Sequence, residues 1–212
     1  VLSLVDLGAL KRTWRYSKMD FAAMAATILM VLGLGVEIGI ITGVGLSLIL
    51  FLGRTAGPHY AVVGQVPGTH HFRNVKRHEV VTSEKVLSVR VDESLYFANS
   101  RWLEDMLYDS AIAGPNVKHV VLICSAVNAI DSSALEGLEG LNDRLKAAGV
   151  TFHLSEVKGP VMDKLAKTDF LSHLTGSIFL SQHDAMAALG AEATAMAGSG
   201  ERRPGSESRR GE

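Results

Sequence analysis

The sequence contains one cysteine, Cys124, among its 212 residues. A single cysteine excludes an intrachain disulfide framework and any metal site built from several thiolates, and it suits a reducing compartment. Neither sign of charge is in excess, because 21 Lys and Arg residues stand against 22 Asp and Glu residues. The chain therefore has no global basic field, and nucleic acid is not expected as a partner. At this length the chain is too short for a large enzyme.

Aromatic residues are also few, at 6%, although hydrophobic residues make up 47% of the chain. Much of this hydrophobicity lies between Phe21 and Leu52, where Lys, Arg, Asp and His are absent and Glu37 is the one charged residue. This pattern predicts a membrane segment; a cleaved signal peptide would have a shorter apolar region of about 7 to 15 residues. One straight helix would rise about 48 Å, whereas the hydrocarbon core is about 30 Å thick. We predict two short transmembrane helices over residues 21–53, with one tilted helix as the alternative.

Cations flank the apolar segment on both sides: Lys11, Arg12, Arg15 and Lys18 precede it and Arg54 follows it. The positive-inside rule then predicts that both ends lie in the cytoplasm. In residues 1–20 aromatic residues alternate with cations, which is typical of an interfacial connector that contacts membrane lipid. No Met precedes Val1, so we expect the C-terminal piece of a longer protein.

Small residues recur at a spacing of four, at Gly35, Gly39, Gly43 and Ser47. That spacing predicts one helix face that lets another helix approach closely, although glycine is simply frequent in membrane helices. Glu37 allows two interpretations. A carboxylate in hydrocarbon is expensive and points to a proton or ion role, whereas a turn residue at the far membrane surface needs no such role.

After Pro58 the pattern is that of a soluble α/β domain over residues 58–190, with a mixed, largely parallel sheet flanked by helices. Strands are predicted at 60–66, 86–91, 95–97, 117–124, 150–154 and 178–180, and helices at 99–112, 133–148, 160–167 and 181–189. Residues 191–212 are rich in Ala, Gly, Ser, Glu and Arg and predict a disordered tail.

The junction of Asp131, Ser132 and Ser133 places a carboxylate and two hydroxyls at the predicted start of a helix. Plain capping is one interpretation, with a capping box formed by Ser133 and Glu136. The other is a phosphoacceptor or anion-recognition site, because free N–H groups at a helix start favour negative charge. No residue pattern indicates a metal site, a cofactor or catalysis, so an enzyme is not expected.

The run Ile130–Glu139 resembles the signature loop of STAS domains, which are named for sulphate transporters and anti-sigma-factor antagonists. Upstream segments resemble the end of the SulP family of anion transporters, where the last membrane helices lead into a STAS domain. These segments are Gly35–Gly39, Gly43–Leu48, Pro58, Val66–Thr69 and Leu95–Asn99. The expected fold is therefore a membrane α-helical hairpin followed by an α/β STAS domain.

The resemblance implies the C-terminal part of a secondary transporter of sulfate or related anions in the cell membrane, with the STAS domain in the cytoplasm. It also implies a homodimer, contact with upstream core helices, no substrate-binding residue in this chain, and a STAS domain that serves regulation, targeting and dimer contact. In the antagonist branch the phosphorylated serine matches Ser132 first and Ser133 second, but Ala134 stands where that branch usually has Gly. The alternative is a membrane-tethered STAS module, switched by phosphorylation, that binds a cytosolic regulatory protein.

Overall fold

The computed structural model describes residues 7–199. It divides into two compact units, one ending at Gly57 and the other beginning at Pro58. Among the described residues the first unit contains three helices, and the second contains a six-stranded sheet and five helices. Sequence and structure agree on a helical hairpin followed by an α/β domain.

The first unit consists of α1 (Leu7–Tyr16), α2 (Lys18–Leu34) and α3 (Val36–Thr55). Ser17 separates α1 from α2 in an extended conformation, and its Oγ accepts a hydrogen bond from the Asp20 N–H at 3.2 Å. Gly35 separates α2 from α3 with a φ of 99°, in the region that favours glycine. Two residues with non-helical backbones therefore divide the segment into three helices.

Helices α2 and α3 run antiparallel. The Arg54 side chain near the end of α3 donates to the Asp20 carboxylate at the start of α2, with an N–O distance of 2.6 Å. Among the described helices α3 alone is long and apolar enough to cross a membrane, and only 6% of it is buried. α2 is nearly as apolar but has 17 residues. Apolar helices that bury so little surface in their own fold need an apolar environment outside it.

The second unit is built on six strands: β1 (Tyr60–Gln65), β2 (Phe72–Asn74), β3 (Val86–Val91), β4 (His119–Ile123), β5 (Thr151–Ser155) and β6 (Ile178–Phe179). Their order in the sheet is β2-β1-β3-β4-β5-β6. β1 is antiparallel to both neighbours, whereas β3, β4, β5 and β6 are parallel. The sheet is therefore mixed and largely parallel, as the sequence predicts.

The helices of this unit are α4 (Ser100–Ala113), α5 (Ser132–Ala147), α6 (Gly159–Leu165), α7 (Phe170–His173) and α8 (Gln182–Ser199). Alternate residues of the strands face opposite sides of the sheet. Val89 and Leu122 lie in the main core with the apolar stripes of α4 and α5, while Val86 and Val121 pack with Ala185 of α8. Both faces of the central strand are covered, which explains why β4 is an unbroken apolar run.

Several short elements differ from the sequence predictions. Leu95–Phe97 is not a strand; Leu95 forms one isolated parallel bridge to Ile130. The short elements β2 and α7 were not predicted. The predicted start of the last helix agrees with the structure, since α8 begins at Gln182 and the preceding Ser181 Oγ accepts from the Asp184 N–H at 3.0 Å.

The last helix is longer than predicted, since α8 continues to Ser199 instead of ending at Leu189. Residues 191–199, assigned to a disordered tail on composition, are therefore helical. The physical reason is alanine, the strongest helix former, which occupies every second position from Ala191 to Ala197. The remainder of that predicted tail, residues 200–212, lies outside the described residues.

Candidate functional site

The junction between β4 and α5 is organised by Asp131, the N-cap residue of α5. Its Oδ1 accepts a hydrogen bond from the Ala134 N–H at 2.8 Å, and its Oδ2 accepts one from the Phe97 N–H at 2.9 Å. One carboxylate thus caps a helix and fixes the loop that precedes α4. The predicted capping box of Ser133 and Glu136 is wrong, because α5 begins at Ser132 and Ser133 already lies inside the helix.

The loop before α4 is held against this junction by backbone and side-chain hydrogen bonds. The Leu95 N–H donates to the Ala129 carbonyl at 2.9 Å, and the Asp131 N–H donates to the Leu95 carbonyl at 3.1 Å. Asn99 is fully buried; its Oδ1 accepts from the Tyr96 N–H and its Nδ2 donates to the Ser94 carbonyl. Asn99 is the N-cap residue of α4, but its side chain makes no capping hydrogen bond and instead fixes the preceding turn.

Ser132 and Ser133 are the first two residues of α5, and both are exposed. Neither hydroxyl has a hydrogen-bond partner among the described residues. The two hydroxyls therefore face solvent at the positive end of a helix, beside a carboxylate whose two oxygens already accept N–H groups. This geometry is compatible with a phosphoacceptor.

A charged groove of about 400 Å³ lies between α4 and α5 next to Ser133. Gly140 of α5 lies close to the Glu104 side chain of α4; a Cβ on Gly140 would lie 3.1 Å from the Glu104 Oε1. Burial raises the pKa of the Glu104 carboxyl above its usual value despite the opposing charge of Arg144. Arg144 itself pairs with Asp105 at 3.1 Å. The groove walls carry both signs of charge, so they do not form a uniformly basic or acidic surface.

The hairpin brings together three of the four small residues predicted to pack. Gly39 is buried, and a Cβ on it would overlap the Val31 side chain; a Cβ on Gly43 would lie 3.0 Å from the Thr27 Oγ1. Ser47 lines the same groove between the helices. Gly35 has a different role, because it forms the break between the helices and has open space around it.

Glu37 lies in the first turn of α3, two residues after the break, and its side chain is exposed. It is at the end of the hairpin opposite the Asp20–Arg54 pair. A position beside the reversal of the chain agrees with the interpretation of Glu37 as a turn residue. Among the described residues no hydrogen bond or ion pair joins Glu37 to a second polar group, so the interpretation as an ion site gains no support.

Other chemistry-bearing side chains are buried or isolated. Burial, with a smaller contribution from Glu156, raises the pKa of the Cys124 thiol to about 12, so this cysteine is unreactive at neutral pH. Within residues 7–199 no group of His, Cys, Asp and Glu side chains is arranged to hold a metal ion. The His119–His153 pair was missed by sequence reasoning; its ring nitrogens lie 3.2 Å apart.

The sheet order, the Asp131 cap and the exposed serines at the start of α5 define an α/β unit of the STAS type. The family model of the STAS domain matches residues 77–185, and the chain belongs to this family. The STAS resemblance found in the sequence is thereby confirmed.

The chain is also similar to plant sulfate transporters along most of its length. It is 35% identical over 199 residues to the "Probable sulfate transporter 4.2" of Arabidopsis thaliana, an alignment that covers 88% of this chain and 29% of that protein. It is 30% identical over 208 residues to the "High affinity sulfate transporter 2" of Stylosanthes hamata, covering 92% and 31%. The chain therefore spans about 30% of the length of these relatives, and the SulP resemblance is confirmed.

A solved structure has the same fold. The murine Solute Carrier 26 family member A9 anion transporter, in its inward-facing state, superimposes with a TM-score of 0.74 at 23% identity. The superposition covers 86% of this chain and 30% of the transporter. A helical hairpin followed by an α/β domain is thus a fold that a solved structure also has.

Proposed function

We propose that this chain is the C-terminal part of a SulP-type secondary transporter that carries sulfate or a related inorganic anion. The proposal rests on one observation, that the hairpin and the STAS domain belong to one continuous chain. One polypeptide joins an antiparallel apolar hairpin to a STAS domain, and sulfate transporters align with 88% to 92% of it. The named relatives are transporters, and their likeness favours this function over a stand-alone regulatory module.

The proposed division of labour follows from what the hairpin contains. Transporters of this kind bind their substrate near the middle of the membrane, between two structural repeats, and one hairpin cannot supply both repeats. We therefore assign the anion site to the upstream core helices, against which the exposed apolar surface of α2 and α3 would pack. The STAS domain would serve regulation, targeting and contact between two copies of the protein.

The proposed location is the cell membrane, with the STAS domain in the cytoplasm. The contact between Asp20 and Arg54 supports this orientation, because it brings the two flanks of the hairpin to the same end. The cations of both flanks would then lie on one side of the membrane, which the positive-inside rule assigns to the cytoplasm.

The test compares this chain with its complete parent protein, each reconstituted in liposomes. We expect both to resist alkaline extraction from the bilayer, and only the parent protein to take up radioactive sulfate. Sulfate uptake by this chain alone would contradict the assignment of the anion site. Extraction of the chain at high pH would contradict the membrane hairpin.

We further propose Ser132, and secondly Ser133, as phosphoacceptors that adjust the STAS surface. Support comes from the two exposed hydroxyls at the start of α5. A phosphate on Ser132 would add charge beside the Asp131 carboxylate and change the surface that a regulatory protein contacts. We expect Ser132→Asp to change transport by the parent protein and Ser132→Ala to leave the basal rate unchanged. Equal rates for the Asp variant and the wild type would contradict the switch.

A further inference from the structure

The bend between α1 and α2 presents a stripe of cations beside one exposed indole ring. Lys11, Trp14 and Arg15 lie at helical spacings of three and four residues on α1, Lys18 follows the Ser17 break as the first residue of α2, and all four are exposed. We call this set the elbow stripe. On the other side of α1, Leu10 and Thr13 are half-buried. The exposed surface of the bend therefore carries cations, with Trp14, Tyr16 and Met19 also exposed beside them.

Aromatic contacts give the elbow stripe a defined geometry. The Trp14 ring packs edge-on against the Phe21 ring with centroids 4.8 Å apart, and the Lys18 Nζ lies 5.9 Å from the Trp14 centroid. Even so, 51% of Trp14 remains exposed. An indole between cations at the start of an apolar hairpin is the arrangement expected at the level of lipid headgroups.

The positive charge of the elbow stripe is not neutralised by the nearby acid. Asp20 is committed to Arg54, which donates to its Oδ1 at 2.6 Å. Lys11, Arg15 and Lys18 form no ion pair with another residue of the described part of the chain. Within residues 7–199 these three cations thus have no carboxylate at ion-pair distance, and a partner with phosphate groups would supply a counter-charge.

We propose that the elbow stripe is a binding site for the phosphate group of an anionic phospholipid. Arg15 and Lys11, one helical turn apart, would contact the phosphate oxygens, with Lys18 beside the Trp14 ring and Trp14 at the glycerol level. The inference rests on the proposed membrane location of the hairpin. A lipid fits better than a soluble phosphate compound because the stripe continues directly into α2, which carries its own apolar surface to the acyl chains.

The test uses the full chain in nanodiscs, with Trp102→Phe so that Trp14 is the remaining tryptophan. Brominated phosphatidylglycerol and brominated phosphatidylcholine, at equal mole fractions, serve as quenchers of its fluorescence. We expect stronger quenching by phosphatidylglycerol. We also expect the preference to decrease roughly fivefold for each cation removed in Lys11→Gln, Arg15→Gln and Lys18→Gln, and to weaken at high salt.

A matched control removes three exposed cations elsewhere, at Lys146, Lys164 and Lys167, by the same change to Gln. This control should keep the preference of the wild type. Equal quenching by the two lipids, or an equal loss of preference in both triple variants, would overturn the site. A chain that stays in the nanodisc without a lipid preference contradicts this inference alone, whereas a chain that leaves the bilayer contradicts the proposed function as well.

Discussion

At the scale of single residues, the candidate site depends on the two hydrogen bonds that the Asp131 carboxylate accepts. Asp131→Ala removes the helix cap and releases the loop at Phe97. We expect a loss of about 1 to 2 kcal/mol in the free energy of unfolding of the α/β unit. Urea unfolding in detergent, followed by the fluorescence of Trp102 in a Trp14→Phe background, measures it.

Ser133→Ala is the matched control, because this hydroxyl is exposed and has no partner in the described part of the chain. We expect a change within about 0.5 kcal/mol. If the Ser133 variant were as destabilised as the Asp131 variant, Asp131 would not be the residue that caps α5.

The His153 imidazole predicts a dependence of stability on pH. Its Nδ1 accepts the Ser177 N–H at 3.0 Å, so the neutral ring carries its hydrogen on Nε2, which faces the His119 Nδ1. Burial, with a smaller contribution from His119, lowers the pKa of His153 from 6.5 to about 4. Between these two values the unfolded chain binds more protons than the folded chain. Stability should therefore fall as pH decreases from about 6.5 to about 4.

His153→Asn tests this assignment, because an amide oxygen can still accept the Ser177 N–H but does not titrate. We expect the variant to lose part of the pH dependence in urea unfolding measured across that range. Identical pH profiles for the wild type and the variant would show that another group causes the loss of stability.

The sequence predictions were least complete for polar residues that cap helices or bind backbone groups. The sequence pattern predicted polar groups at the start of α5 but indicated Ser133 as the N-cap residue. The N-cap depends on the residue at which the helix begins, and a sequence pattern locates that residue only to within one or two positions. Asn99 and His153 accept hydrogen bonds from backbone groups at Tyr96 and Ser177. The Ser177 contact joins distant parts of the chain, and no local pattern reveals it.

At the scale of elements, the hairpin depends on the close approach of α2 and α3 at Gly39. Gly39→Leu would force a side chain into the space occupied by Val31, whereas Gly45 has open space around it. We expect Gly39→Leu to destabilise the hairpin by roughly 1 to 3 kcal/mol, the range for overpacking, and Gly45→Leu to be tolerated. Thermal unfolding of the full chain in detergent compares the two variants.

Both variants add the same side chain to α3, so a difference between them reports on the helix contact and not on hydrophobicity. Equal melting temperatures for Gly39→Leu and Gly45→Leu would contradict the packing of the hairpin through Gly39.

Long periodic elements were predicted more completely than short ones: β6 and α6 were predicted, whereas β2 and α7 were not. The leucine stripe of α5 and the apolar run of β4 extend over enough residues to show their period. β2 has three residues and α7 has four, which is too short for a period to appear. β2 exists because the chain reverses near Gly68, at a φ of 72°, and pairs Phe72 with Gln65.

At the scale of the whole molecule, the proposed function rests on the order of two segments, a hairpin followed by a STAS domain. The sequence predicted a hairpin followed by a STAS domain, and the fold, the family model and the sulfate-transporter relatives agree with that order. The anion and its binding residues could not be predicted, because the chain spans about 30% of its relatives' length. Under the proposed function, the hairpin and the STAS domain would support and regulate a transporter whose substrate site lies in other helices.

The central claim is that the chain crosses the membrane twice and returns to the cytoplasmic side before the STAS domain. Single cysteines test it in a Cys124→Ala background: Glu37→Cys beside the break in the hairpin, and Lys167→Cys on the surface of the α/β unit, both at exposed positions. The chain is expressed in cells and treated with a membrane-impermeant maleimide before and after permeabilisation. We predict that Glu37→Cys reacts in intact cells and that Lys167→Cys reacts only after permeabilisation. Reaction of both cysteines in intact cells, or of neither, would contradict the two crossings and the cytoplasmic STAS domain.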